Sequence, residues 1–266
     1  MKRKTLQTWH AVGVILLILL TGCGSNPVAG GQSDLPTSSD QTESQKRARI
    51  RLQLAIGYYE QRQMSVALDE IKQALLADPN LADAYSVRAL IYMDMGENKL
   101  AEDNFLQALR LAPNTPDFSN NYGWFLCQTG RERQSIQYFE AAFKNRAYHS
   151  PEKALNNAGI CSLRLKDKAA AEKYFSQAFQ FDPGNPSTNA NLSKVYFDQG
   201  DYERARFYIG RVMKADVMTA DVLWLAIKIE RKLGDRAAES GLVAQLKRRH
   251  PNSQEFAAYQ RGAFNE

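Results

Sequence analysis

Histidine and cysteine are scarce, three of each among 266 residues, and that scarcity excludes a good deal. His10 lies in an N-terminal leader, and His149 and His250 stand alone, so nothing has the ligand spacing of a metal centre. The chain has no Gly-rich phosphate loop and no Ser, His and Asp set at recognisable spacing. Its carboxylates are scattered where they serve as solvated charge. The sequence therefore offers no catalytic residue, no cofactor site and no pocket signature for a small-molecule substrate. A field of one sign is also missing. The formal charge of +5 includes Lys2, Arg3 and Lys4 of the leader, and without them it falls to about +2. That is no phosphate-binding surface, which excludes nucleic acid as a partner. The apolar run from Ala11 to Leu20 is far short of the roughly 20 residues that a spanning helix needs.

What stands at the N-terminus has the form of a secretory signal: a basic head, Lys2 to Lys4, then the short apolar run. The run ends in Leu20, Thr21, Gly22 and Cys23. This "LTGC" resembles the bacterial lipobox, in which the chain is cut before a cysteine whose thiol is acylated. The resemblance implies a leader over 1–22 and a lipidated Cys23 as first mature residue. Ordinary signal peptidase cleavage nearby is the alternative. In lipoproteins of this kind an aspartate after the cysteine retains the protein at the inner membrane; Gly24 stands there instead, which implies the outer membrane. Residues 24–45, "GSNPVAGGQSDLPTSSDQTESQ", contain few apolar side chains and cannot offset the entropy of ordering. Residues 23–46 are expected to be a lipid-anchored tether, with a coil reach of roughly 26 Å.

Beyond the tether the chain repeats itself. Tyr58, Ala67, Ile71, Ala74 and Pro79 recur 34 residues later as Tyr92, Ala101, Phe105, Ala108 and Pro113. A further copy reads Gly159, Ala171, Phe175, Ala178 and Pro183. Between them lies a weaker one with Gly123, Ser135, Phe139 and Ala142, and two additional residues before Pro151. Next comes a copy with Tyr196, Ala205 and Ile209 but no closing proline. The last keeps Val243, Leu246 and Pro251 and has Glu239 at a small-residue position. Aromatic, Ala, bulky apolar, Ala, Pro at this period is the tetratricopeptide-repeat signature. Each unit is two antiparallel helices: small residues allow close approach, large ones fill the gap, and proline ends the second helix. Gly96, Gly130, Gly200 and Gly234 fall at the turn within a unit. The expected fold is all-α: a superhelical solenoid over 47–266 with six repeats, 48–81, 82–115, 116–151, 152–185, 186–219 and 220–253. The segment 254–266, with Phe256 and Tyr259, is expected to cap the stack.

The resemblance to tetratricopeptide proteins also implies a groove lined by the first helix of each repeat. Carried over residue by residue, its lining is Leu52, Ile56 and Tyr59, then Ser86, Leu90 and Met93, then Asn120, Asn121 and Trp124. Asn156, Asn157 and Ile160 follow, and the last two repeats contribute Asn191, Lys194, Phe197, Trp224, Lys228 and Arg231. One end is thus apolar and the other basic. Asn121, Asn157 and Asn191 hold one position in successive repeats and resemble the asparagine ladder that pairs with the main chain of an extended peptide. The same amides could equally satisfy neighbouring groups. Trp124, Phe197 and Trp224 suit partner anchors or plain packing. Cys127 and Cys161 sit on first helices of adjacent repeats in an oxidising compartment. A disulfide there needs α carbons within about 7 Å; two buried free thiols are the other reading.

Lipobox, tether and six repeats together resemble one family, the type IV pilus biogenesis and twitching-motility lipoprotein, the tetratricopeptide-type pilotin of the pilus secretin. "NNYGWFLCQTGRERQSIQYFEAA" and "ALNNAGICSLRLKDKAAAEKYFSQA" are close to its wording. The resemblance implies a non-enzymatic scaffold, anchored by its lipid to the outer membrane and facing the periplasm, that binds secretin subunits and promotes their assembly. A generic envelope adaptor for outer-membrane protein assembly or cell-wall enzymes is the rival.

Overall fold

The computed structural model describes residues 40–264. The leader, Cys23 and the tether as far as residue 39 lie outside the described residues. From Thr42 onward the chain is one unit of paired helices, with no strand among the described residues. The helices are α1 Glu43–Glu60, α2 Met64–Ala77, α3 Ala82–Asp94, α4 Asn98–Leu111, α5 Pro116–Gln128, α6 Glu132–Lys144 and α7 Pro151–Arg164. They continue with α8 Lys168–Phe181, α9 Pro186–Gln199, α10 Tyr202–Lys214, α11 Ala220–Leu233, α12 Arg236–Arg249 and α13 Gln254–Arg261. Helices α1 to α12 form six hairpins, and α13 follows the last.

Local chemistry explains where several of the helices begin. Thr42 and Gln45 form a capping box, reciprocal bonds that satisfy otherwise orphaned amides. It draws four residues assigned to the tether into α1, so the first helix begins before residue 47. Asp167, Asp201 and Asp235 cap α8, α10 and α12 by accepting from backbone amides at 2.9, 3.0 and 3.0 Å. Pro116, Pro151 and Pro186 occupy the first turn of α5, α7 and α9, where a missing N–H costs nothing. Pro151 therefore starts a helix. The third repeat has no closing proline, and its link of residues 145–150 is held by Tyr148, buried against Ala142 and Ala154.

The hairpin turns need a left-handed residue. Gly96, Gly130, Gly200 and Gly234 adopt φ of +79°, +79°, +81° and +79°, a region in which glycine has no Cβ penalty. The first and fourth hairpins use Arg62 and Lys166 instead, both at φ +62°, at a cost of about 1 kcal/mol each.

Inside each hairpin the apolar repeat residues meet. Ala67, Ile71 and Ala74 are fully buried, as are Ala101, Phe105 and Ala108, then Phe139 and Ala142, then Ala171, Phe175 and Ala178. Gly123 and Gly159 make room for the opposing rings: a Cβ at 123 meets Phe139 Cε1 at 2.9 Å, and one at 159 meets Phe175 Cε1 at 2.5 Å. In the sixth hairpin the inward residues of α12 are Leu242 and Leu246. Glu239, at the small-residue position, turns to Arg231 and pairs with it at 3.0 Å. The Sγ atoms of Cys127 and Cys161 are bonded, with α carbons 5.9 Å apart. They join α5 to α7 inside a cluster with Phe139 and Ala158.

Candidate protein-binding groove

The first helices of neighbouring repeats present a common face, shown by side-chain bonds that run from one to the next. Asn121 donates to Ser86 Oγ at 3.4 Å, linking α5 to α3. Asn120 donates to Asn121 at 3.4 Å, and Asn157 on α7 donates to Asn120 at 3.0 Å. Asn191 on α9 donates to Asn156 at 3.2 Å, and Asn156 to Ser187 at 3.3 Å. All five candidate asparagines are thus brought together, with each amide already engaged by a neighbour. Each amide still has unused hydrogen-bonding capacity, since it carries two donors and an acceptor with two lone pairs.

At the N-terminal end Ile56 and Tyr59 are half-buried. Tyr59 donates to Asp94 at 2.9 Å, and Arg62 reaches the same carboxylate at 2.8 Å. Burial, helped by the adjacent Asp94 charge, pushes the Tyr59 phenol up to about 12. Leu52 does not join this lining. It is 6% exposed, in a core with Ala48, Ala55 and Ile71, because it lies four residues after Ala48 and three before Ala55 on the inward stripe of α1. Leu90 and Met93 are half-buried beside the Phe105 core. Trp124 borders the disulfide cluster; the Arg164 guanidinium lies 6.0 Å from its ring and donates to the Cys127 carbonyl at 2.9 Å. Ile160 packs at the edge of the C-terminal core.

The C-terminal end holds a cavity of about 340 Å³, whose lining includes Asn191, Lys194, Phe197, Trp224 and Lys228. Lys228 Nζ stands 5.5 Å from both aromatic rings. Burial pulls its pKa down, opposed by the Asp198 charge and assisted by Lys194. This end is not simply basic, since Asp198, Asp221 and Glu255 line the same cavity. Asp198 follows Lys194 by one helical turn, a spacing visible in the sequence; Glu255 arrives from α13, which no pattern within a repeat reveals. Trp224 is only 8% exposed. Phe264 covers it at 5.2 Å, itself capped by Arg231 at 3.9 Å and Tyr259 at 6.0 Å. Trp224 and Arg231 therefore serve the chain's own tail.

No group of His, Cys, Asp and Glu able to hold a metal occurs among the described residues. No described helix is long and apolar enough to cross a membrane.

Fold and site define a tetratricopeptide-repeat scaffold, and family models described as tetratricopeptide repeat match residues 82–115, 128–186 and 163–226. The type IV pilus assembly protein PilF of Pseudomonas aeruginosa is 28% identical over 250 residues, which cover 94% of this chain and 97% of PilF. Among solved structures, PilW, described as a widely conserved type IV pilus biogenesis factor, is 32% identical with a TM-score of 0.74. That match covers 80% of this chain and 98% of PilW. The structure of Pseudomonas aeruginosa PilF is 26% identical with a TM-score of 0.77, covering 83% of this chain and all of that one. The chain belongs to the family of these PilF and PilW type IV pilus biogenesis factors.

Proposed function

We propose that this protein is an outer-membrane lipoprotein, anchored through Cys23 and facing the periplasm, that binds the pilus secretin and promotes its localisation and multimerisation. The end-to-end similarity to a type IV pilus assembly protein carries this reading, since it spans nearly the whole of both chains. The lipobox-like "LTGC" supports the anchor. The groove supports the binding step: its half-buried apolar residues and its amide row suit an extended polypeptide.

In this mechanism the acyl chains confine the scaffold to the leaflet, and the groove holds a secretin segment. Confinement to a surface raises the effective concentration of subunits and favours ring assembly with no chemical step. The test is a deletion strain complemented with wild type, Cys23→Ala, Ile56→Asp and Lys194→Glu forms, scored for secretin multimers in outer-membrane fractions. The proposal expects multimers with wild type only, and for Cys23→Ala a folded protein that still captures secretin without localising it. Normal multimers in the deletion strain defeat the secretin role. Capture of murein hydrolases or assembly-machine subunits in place of secretin supports the generic adaptor.

A further inference from the structure

Among the described residues no repeat precedes the first helix of the stack. Ala48, Leu52 and Ala55 bury one side of α1, and the opposite side is centred on Ile50 and Leu54, which are 62% and 44% exposed. Four cations stand within six residues beside that pair: Lys46, Arg47 and Arg51 within one turn of Ile50 or Leu54, and Arg49 on the flank. Lys46 pairs with Glu43 at 2.9 Å and Arg51 with Glu70 at 2.9 Å. Arg47 and Arg49 are exposed and form no ion pair among the described residues.

A partner helix needs an apolar stripe that continues through i, i+3, i+4 and i+7. This face offers only Ile50 and Leu54 before it runs into Gly57, where an added Cβ meets nothing within 4 Å. Two exposed aliphatic side chains with unpaired Arg47 beside them and unpaired Arg49 on the flank instead match an anionic phospholipid surface, where basic residues meet headgroups and the aliphatics enter the boundary region. Position agrees with chemistry. Thr42 caps the start of α1, and the covalent path from it back to Cys23 spans at most about 65 Å.

We propose that the outer face of α1, with Arg47, Arg49, Ile50 and Leu54, is a membrane-seating surface that docks on an anionic phospholipid leaflet and orients the solenoid on it. This rests on the reading that Cys23 is the anchor, and the two fail separately.

The full acylated chain, carrying a fluorophore at Gln53→Cys or, as control, at Gln137→Cys on α6, is mixed with two kinds of vesicle. One contains 30% phosphatidylglycerol in phosphatidylethanolamine and the other only zwitterionic lipid. Seating predicts that iodide quenching at residue 53 falls severalfold on anionic vesicles alone, with residue 137 quenched on both. Arg47→Gln with Arg49→Gln returns the label to water, because losing two cations weakens seating about 30-fold. High salt does the same by screening. Equal quenching at 53 on both vesicles overturns the seating surface, even when the chain floats with them. Failure to float with zwitterionic vesicles overturns the anchor instead, and the label on anionic vesicles still decides whether α1 seats.

Discussion

The disulfide offers the sharpest test of how this stack is held together. Cys127 and Cys161 are separated by 34 residues, one full repeat, so the bridge closes a loop containing all of α6. Chain-entropy arithmetic for a loop of that length gives about 3.8 kcal/mol of stabilisation through the unfolded state. Replacement by Cys127→Ala with Cys161→Ala removes that term together with two sulfur atoms buried among Phe139 and Ala158, so the loss should be at least that large. In a unit of this size each kcal/mol corresponds to about 2–4 °C, so the midpoint should fall by about 8–15 °C. Location matters as much as size. The cysteine cluster lies between the core around Phe105 and Phe125 and the one that runs from Phe175 to Phe256. Because a solenoid is stabilised by nearest-neighbour interfaces, loss of the bridge should split one unfolding transition into two. The assay is urea unfolding followed by far-UV circular dichroism, on wild type with and without reductant and on the double variant. A double variant within about 1 kcal/mol of oxidised wild type, still unfolding in one step, refutes both the entropic magnitude and the role of the bridge as a joint.

Gly159→Ala should cost about 1–3 kcal/mol by overpacking, since its Cβ meets three ring atoms of Phe175 at 2.5–2.7 Å. Recovery with Phe175→Leu in thermal unfolding checks the cause, and a cost unchanged by that second substitution refutes it. Glu102 bonds Arg131 at 2.8 Å and Tyr122 at 2.9 Å, and the Arg131 bond first, then the Tyr122 bond, hold its carboxyl below the usual range. A depressed carboxyl contributes stability that is present above its unfolded pKa and lost as pH falls through the folded one. The thermal-midpoint gap between wild type and Glu102→Gln should therefore close below about pH 4.5, and a gap constant with pH refutes the linkage. Arg206 donates to buried Glu230 and to Asp235. Arg206→Ala strands that carboxylate at a cost of about 3 kcal/mol, whereas Arg206→Leu with Glu230→Leu should be near neutral; equal losses in urea unfolding refute the desolvation argument.

The fold was legible because every hairpin repeats one steric problem. Ala67, Ile71 and Ala74, and their counterparts a period later, are the residues that two helices need in order to pack, and they are buried where the pattern puts them. Errors arose where one residue type serves two purposes. Proline ends the second helix at 79, 113 and 183 but starts a helix at 151, and position within the loop decides which. The polar run before residue 47 has the composition of a tether, yet its last residues enter α1, capped by the reciprocal Thr42 and Gln45 bonds. Groove lining was less legible than the core. A register carried from other repeats places Leu52 on the open face, while its own neighbours Ala48 and Ala55 turn it inward. The acidic balance of the C-terminal cavity was hidden for a different reason: Asp221 and Glu255 come from separate helices and meet Lys194 and Lys228 only in the folded stack.

The amide row constrains how any polypeptide could be held. Asn120, Asn121, Asn156, Asn157 and Asn191 are bonded to one another or to Ser86 and Ser187 in the free protein. An incoming main chain must exchange those bonds or use the spare lone pairs. Exchange of one neutral hydrogen bond for another contributes little, because even a newly made bond nets only about 0.5–1.5 kcal/mol. For a bound polypeptide the row would therefore set register and direction, and affinity would have to come from elsewhere. Half-buried Ile56, Leu90, Met93 and Trp124 offer modest apolar area, and Trp224 is already covered by Phe264. A groove with few open anchors would bind weakly on its own and would be helped by any arrangement that concentrates its partner. Under the proposed function, tethering to a membrane would supply that concentration, so that capture by the groove and localisation by the anchor would act together.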